Sequence, residues 1–331
     1  HLYIHMVESS KNPERGIPSA DRLGKLEPGS GHLVHMPSHI YVNVGRYKDA
    51  VTVNERAASL DEAYFKVYKK PTNYRFYFLH NLHFVSFASM MEGRKALALQ
   101  YIKRMEQEMP EALLRMAASQ VDGQLASKMH VYVRFGMWKE ILAAPEYPAY
   151  RKASRAIRRY ARTVALANQG QTAKARAELA LFDKAAADTP EDWSMLFNPS
   201  QTMYGLARQI AEAEILWREG KPKPAIAILK AAIKVEKELV YTEPPAWMMP
   251  VRHTLGAIQL ASGNALDAAE TFRQDLSKHK ENGWSLLGLH QSLIKLGKHT
   301  EAAAVKTRFD RAWARADISP PSSCYCAAAI K

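Results

Sequence analysis

Gly45-Arg-Tyr-Lys-Asp-Ala50 decides the reading of this chain, because the pattern comes back. A turn residue is followed five positions later by alanine in Gly93-Arg-Lys-Ala-Leu-Ala98, Gly170-Gln-Thr-Ala-Lys-Ala175, Gly220-Lys-Pro-Lys-Pro-Ala225, Gly263-Asn-Ala-Leu-Asp-Ala268 and Gly297-Lys-His-Thr-Glu-Ala302. Gly136-Met-Trp-Lys-Glu-Ile141 keeps the turn and has isoleucine in place of the alanine. Glycine accepts the left-handed backbone that ends a helix, and a small residue shortly afterwards lets the next helix lie close to the last. Each copy predicts the turn of a helical hairpin.

A further unit at the front has Lys11 at the turn, then Asn12-Pro13 as N-cap and first helical residue, and closes with Leu26-Glu27-Pro28. The turns are 34 residues apart from Lys11 to Gly45, from Gly136 to Gly170 and from Gly263 to Gly297, with longer intervals elsewhere that require insertions. Repeats of this length dictate architecture before local propensity does. The motif resembles the tetratricopeptide repeat along essentially the whole chain. That resemblance implies an all-α, right-handed α-solenoid of about eight helical hairpins, with no sheet and about sixteen principal helices. It divides into His-rich repeats over 1–110, further repeats over 111–316 and a tail over 317–331.

More narrowly, HLYIHMVE, GHLVHMPSHIY, HNLHF, EPPAWMMPVRHTLGA, NGWSLLGL and SSCYC are together similar to a group of bacterial tetratricopeptide-repeat proteins of undetermined activity. In that group a further helical half precedes the first His-containing helix. The opening His1-Leu-Tyr-Ile-His5 already reads as helix interior, without a cap or an initiator methionine, and an upstream helical part is expected. Location, periplasmic or secreted, stays open.

Composition narrows the function classes. The longest apolar stretches are interrupted by Arg, Lys or Glu too soon for the roughly 20 apolar residues of a membrane helix. Lys and Arg exceed Asp and Glu by 46 to 33, a formal net charge of +13. The densest basic patch, Arg151, Lys152, Arg155, Arg158, Arg159 and Arg162, reads either as a solvated helix face or as a weak preference for acidic partners. No nucleic-acid motif accompanies it, and a nucleic-acid partner is not expected. No glycine-rich phosphate loop, nucleophile elbow, zincin helix or Ser-His-Asp pattern is recognisable.

The histidines are what rises above fold class. Ten residues before the turns lie His1, His35, His83 and His253; six before lie His5, His39 and His130; thirteen before lie His32 and His80. Spacings of three and four put these columns on one face of the first helix of each hairpin. In the tetratricopeptide family that face lines the concave groove. Neighbouring first helices about 8–10 Å apart would let imidazoles from successive repeats share one ion. His1, His5, His35, His39, His80 and His83 are therefore the candidate metal ligands, with His32, His130 and His253 as additions.

A single helical histidine is more often a hydrogen-bonded structural residue, so a groove whose histidines bind a ligand without metal is the alternative. An imidazole-rich set suits Cu, Zn or Fe, and scarce carboxylates argue against Mg or Ca. More than four inward imidazoles exceed one tetrahedral ion, leaving a dinuclear centre or outer histidines that support the ligands and carry protons. Glu8 is the nearest acid, as an orienting group, a general base or a solvated helix-end residue. Tyr3, Tyr41 and Tyr77 lie near these segments, Tyr41 also where the repeat wants an aromatic core residue.

Two further segments are candidates. Tyr241-Thr-Glu-Pro-Pro-Ala-Trp-Met-Met-Pro250 approaches the His253 helix and either walls a pocket with Trp247 or fills core; Met248 and Met249 would ligate only Cu(I). Cys324 and Cys326, the only cysteines, follow the Pro320-Pro321 stop. They read as a half-set of soft-metal ligands or as incidental tail thiols, a disulfide across two residues being strained.

The functional expectation is a metal-binding solenoid that admits a small molecule or peptide along its groove, with a metal-assisted hydrolytic or oxidative reaction as the natural class if it is catalytic. The alternative is a non-catalytic scaffold that binds a protein or peptide segment in a His-lined groove.

Overall fold

All seven turn glycines read from the sequence have positive φ, between 61° at Gly136 and 86° at Gly263. Each closes its helix in the same way. The Gly45 N–H donates to the Val42 carbonyl and the Arg46 N–H to the Tyr41 carbonyl, and this pair of bonds repeats at Gly93, Gly136, Gly170, Gly220, Gly263 and Gly297. It is the Schellman arrangement, which satisfies the last carbonyls of a helix and turns the chain sharply. The small residue five positions on does what its size predicts: Ala50, Ala98, Ala175, Ala225, Ala268 and Ala302 are fully buried, as is Ile141.

The computed structural model describes residues 1–26, 28–68 and 74–327. Glu27, expected to help close the first hairpin, lies outside the described residues, as do the last four residues of the expected tail. The described chain is all-α apart from one two-residue pairing, Ser194–Met195 with Asn198–Pro199. That pairing corrects the expectation of no sheet. It sits in the 50-residue interval from Gly170 to Gly220 and turns through Leu196, whose φ is 55°.

The described residues form two compact units. The first comprises His1–Met109 together with Leu276–Gly283 and Thr307–Ile318. It contains α1 (Leu2–Val7), a 3₁₀ turn at Pro13–Gly16, α2 (Ile17–Leu26), α3 (Gly31–His35), α4 (Pro37–Asn43), α5 (Tyr47–Val67), α6 (Arg75–Met91) and α7 (Lys95–Glu108). The later segments are knitted into it. Asp317 takes the place of an N-cap for α7, its carboxylate accepting from the Lys95 and Ala96 amides at 2.6 and 2.8 Å. Arg315 pairs with the buried Glu92, and Arg308 pairs with Glu281.

The second unit comprises Pro110–Asp275, Trp284–Lys306 and the chain from Ser319. Its helices begin with α8 (Glu111–Met116), α9 (Ala118–Leu125), α10 (Ser127–Arg134) and α11 (Trp138–Ala143). They continue with α12 (Lys152–Asn168), α13 (Thr172–Ala187), α14 (Ser200–Arg218), α15 (Pro222–Glu238) and α16 (Val251–Ala261). α17 (Ala265–Lys278), α18 (Gly283–Lys295) and α19 (His299–Ala312) complete the series, the ends of α17 and α19 belonging to the first unit, and the described helices exceed the expected sixteen because single first helices are broken into pieces. The break between α3 and α4 falls at Met36-Pro37, where proline has no N–H to give the preceding turn.

The basic patch on α12 is used within its own unit. Arg151 bonds Asp122 at 2.9 Å, Arg159 reaches both Glu146 and Glu178, and Arg162 shares Glu178. Arg151 and Arg158 are buried, so the solvated face expected there is replaced by an ion-paired one.

Candidate metal centre

α3 and α4 carry the centre of the histidine cluster. Ser30 caps α3, its hydroxyl accepting from the Leu33 N–H, and Pro37 starts α4, so a ten-residue stretch presents His32, His35 and His39 from two short helices. α1 adds His5, with His1 just before it, and α6 adds His80.

Three groupings place their ligand atoms within 4.8 Å of one another: His1, His5 and His32; His35, His39 and His80; and His5, Glu8 and His39. The contacts run as a continuous ladder. His1 Nε2 lies 3.1 Å from His32 Nε2, and the rings of His5 and His39 stand 5.5 Å apart. His35 Nε2 lies 2.8 Å from His39 Nε2, and the His80 ring stands 4.8 Å from that of His35. The first grouping is exposed to half-buried, whereas His35 and His39 are buried.

Two neighbours set the orientation of the inner rings. The Asn54 side-chain amide donates to the Ala50 carbonyl at 2.8 Å, which turns its oxygen toward His35 Nδ1 at 2.6 Å. An amide oxygen can only accept, so His35 Nδ1 carries the hydrogen and Nε2 carries the lone pair. The Glu8 carboxylate plays the same part twice, with 2.7 Å to His39 Nδ1 and 3.2 Å to His5 Nδ1. Such a carboxylate–imidazole or amide–imidazole pair is the usual outer support of a histidine ligand. Phe84 closes one side, its ring 4.9, 5.4 and 5.1 Å from those of His35, His39 and His80.

The electrostatics favour neutral rings at His32, His35 and His80. Burial drives His35 and His80 well below the usual imidazole range, with neighbouring imidazoles adding to the effect. His32 is lowered by the same causes. Burial pushes the Glu8 carboxyl up, but its hydrogen bonds to His39 and His5 and their charges outweigh this and hold it below the ordinary value. An ionised carboxylate beside the neutral rings of His32, His35 and His80 offers a cation both charge and lone pairs.

Of the six principal candidates, five enter these groupings and His83 does not. His83 is buried in the body of α6, where burial alone lowers it to about 4. His32, ranked as an addition, belongs to the first grouping, and Glu8 bridges His5 and His39 instead of standing in solvent at a helix end. Tyr41 is core, with its hydroxyl donating to Asp21 at 2.8 Å, and Tyr3 is exposed. Tyr77 meets His32 edge-on at 5.1 Å. Asn54 and Phe84 were not read from the sequence; a buried asparagine on an apolar helix face is the signal for the first.

The remaining candidates lie in the second unit. His130 packs on Trp247 with ring centroids 4.5 Å apart, and both are buried. His253 is held between the Asp275 carboxylate, 2.9 Å from Nε2, and the Arg134 guanidinium, 3.0 Å from Nδ1. Met248 and Met249 are buried core residues.

Cys324 and Cys326 are joined in a disulfide, which corrects their reading as incidental tail thiols. Beyond Pro320-Pro321 the chain packs back on its unit: Ser323 Oγ donates to the His253 carbonyl at 2.9 Å, and the Cys326 carbonyl accepts from Trp217 Nε1 at 3.1 Å. No protein-family model and no curated protein matches the chain, so the reading of the site rests on its own residues.

Proposed function

We propose that the first unit is a polyhistidine metal centre set in a tetratricopeptide-like helical repeat. The observation that carries this reading is the approach of His35 Nε2 and His39 Nε2 to 2.8 Å while the Nδ1 atoms of both rings face fixed acceptors, Asn54 and Glu8. Two imidazole nitrogens at this distance share a proton, and a cation that displaces this proton to water takes its place between them. Two nitrogens about 2.0–2.1 Å from one tetrahedral ion stand about 3.3 Å apart, so a small opening of the pair seats an ion.

His80 supplies the third nitrogen, and His1, His5 and His32 form a second, more exposed set, giving room for two ions. The imidazole-rich chemistry suits Cu, Zn or Fe. An ion with an open position would serve hydrolytic or oxidative chemistry on a small molecule or peptide arriving from the exposed His1 and His5 side.

The test is metal analysis of the chain purified without a polyhistidine tag, after reconstitution and dialysis. Stoichiometric Cu, Zn or Fe, lost when His35 and His39 are both replaced by alanine with the helical circular-dichroism signal retained, supports the centre. No retained metal in the unsubstituted chain overturns it and leaves an interaction scaffold whose histidines line a groove for a protein or peptide segment.

A further inference from the structure

The second unit contains a separate constellation that the histidine centre does not use. Glu214 on α14 is buried, and its carboxylate and the two sulfurs of Cys324 and Cys326 lie within 4.8 Å of one another. Glu214 Oε2 accepts from Asn168 Nδ2 at 2.5 Å, which fixes the carboxylate from behind. A small, partly open space is lined by Glu214, Cys324, Trp247, Thr254, Met249 and Arg134, with room of about 20 Å³, the size of one water or one ion. Trp247 is 3% exposed, and its indole N–H has no hydrogen-bond partner among the described residues. A buried donor left unpaired costs free energy, and because Trp247 lines this space an acceptor bound beside it would recover that cost.

We propose that Glu214, Cys324 and Cys326 form a redox-gated site for a single thiophilic divalent cation of the Zn²⁺ class, with a water or small anion in the fourth position hydrogen-bonded by Trp247. Carboxylate and thiolate are both ligands of such a cation, and three protein ligands with one open position make a common four-coordinate set. The disulfide closes the site and its reduction opens it. Reduction by a dithiol transfers two electrons and two protons to the Cys324–Cys326 bond, giving two thiols and the reductant's own disulfide. The cation then displaces both thiol protons to water as two metal–sulfur bonds form.

Charge explains the gating. With the disulfide intact, a cation entering the space meets one carboxylate and the Arg134 guanidinium. Reduction adds two thiolate charges, enough to outweigh the arginine and balance a divalent ion.

Cd²⁺ is the probe, because cadmium–thiolate bonds absorb in the ultraviolet and cadmium–imidazole bonds do not. The full chain is reduced with dithiothreitol, desalted under argon and titrated. The expected result is a charge-transfer band that saturates at one equivalent in the reduced chain, is absent from the oxidised chain and survives the His35→Ala, His39→Ala double substitution. Glu214→Gln should weaken Cd²⁺ binding at least tenfold while the saturated band remains. Absence of the band from the reduced chain, or unchanged affinity in Glu214→Gln, overturns the proposal. Because the band reports sulfur alone, its loss is independent of the fate of the histidine centre.

Discussion

Asn54 Oδ1 stands 2.6 Å from His35 Nδ1, and the Asn54 amide is itself pinned by donating to the Ala50 carbonyl at 2.8 Å. A residue of α5 thereby dictates which nitrogen of an α3 histidine faces the cluster. Asn54 is fully buried, so no water stands ready to replace it. Outer supports of this kind typically contribute 10–100-fold to metal affinity. Asn54→Ala should therefore lower Zn²⁺ affinity by about 10–100-fold in a chelator competition. Asn54→Asp, which still accepts from Nδ1, should retain most of it. Equal affinity in Asn54→Ala and the unsubstituted chain would show that the orientation of His35 plays no part.

Asp61 makes the equivalent tie between α5 and α6. Its carboxylate accepts from Asn81 Nδ2 at 2.7 Å and from the Tyr74 hydroxyl at 2.8 Å. Burial, only partly offset by these two bonds, pushes its pKa from 3.8 up to about 6. Between those values the folded chain keeps a proton that the unfolded chain has released, so the contribution of Asp61 to stability falls as pH rises from about 4 to about 6. Asp61→Asn removes the titration. Urea midpoints measured across that window should show the unsubstituted chain losing ground to Asp61→Asn as pH increases; a constant difference would mean that the carboxyl titrates normally.

Gly31 and Gly24 offer a matched pair. A Cβ on Gly31, the first residue of α3, would collide with Asp61 Oδ1 and lie 3.2 Å from the Ala57 carbonyl, whereas a Cβ on Gly24 of α2 would meet only Pro37 Cγ at 3.8 Å. Gly31→Ala should destabilise by about 1–3 kcal/mol through overpacking against a carboxylate already held by two donors. Gly24→Ala should be neutral or stabilise by up to about 1 kcal/mol, as alanine does in a helix interior. Denaturant unfolding of the two variants side by side reads the contrast.

The sequence made some of this legible for specific reasons. Only glycine takes the left-handed turn without cost, so Gly45, Gly93 and the other turns announced themselves, and with them the helical hairpins. Histidines three and four apart share a helix face, which is why the columns found His1, His5, His35, His39 and His80. The same logic assumed equal first helices. α3 and α4 are broken at Pro37 while α6 runs unbroken from Arg75 to Met91, so the column that supplies His35 in one hairpin supplies His83, set in the core, in the next. Asn54 and Asp61 act from second helices, which carried no repeat-wide signal. The return of the chain from Ser319 onto its unit is a tertiary packing event with no local periodicity to reveal it.

His80 and His83 therefore make the most discriminating pair of substitutions. They sit three residues apart on α6 and both are driven to low pKa by burial, yet only His80 has a ligand atom within reach of His35 and His39. His80→Ala should leave the fold largely intact and reduce metal affinity at least tenfold, because it removes one of three nitrogens from the inner grouping. His83→Ala opens a cavity in a packed core and should lower the unfolding free energy by about 2–4 kcal/mol while the metal-to-protein ratio stays unchanged. Metal analysis and denaturant unfolding on the same two preparations separate the outcomes. If His83→Ala loses the metal and His80→Ala keeps it, the helical register places the ion elsewhere and the inner grouping of His35, His39 and His80 is wrong.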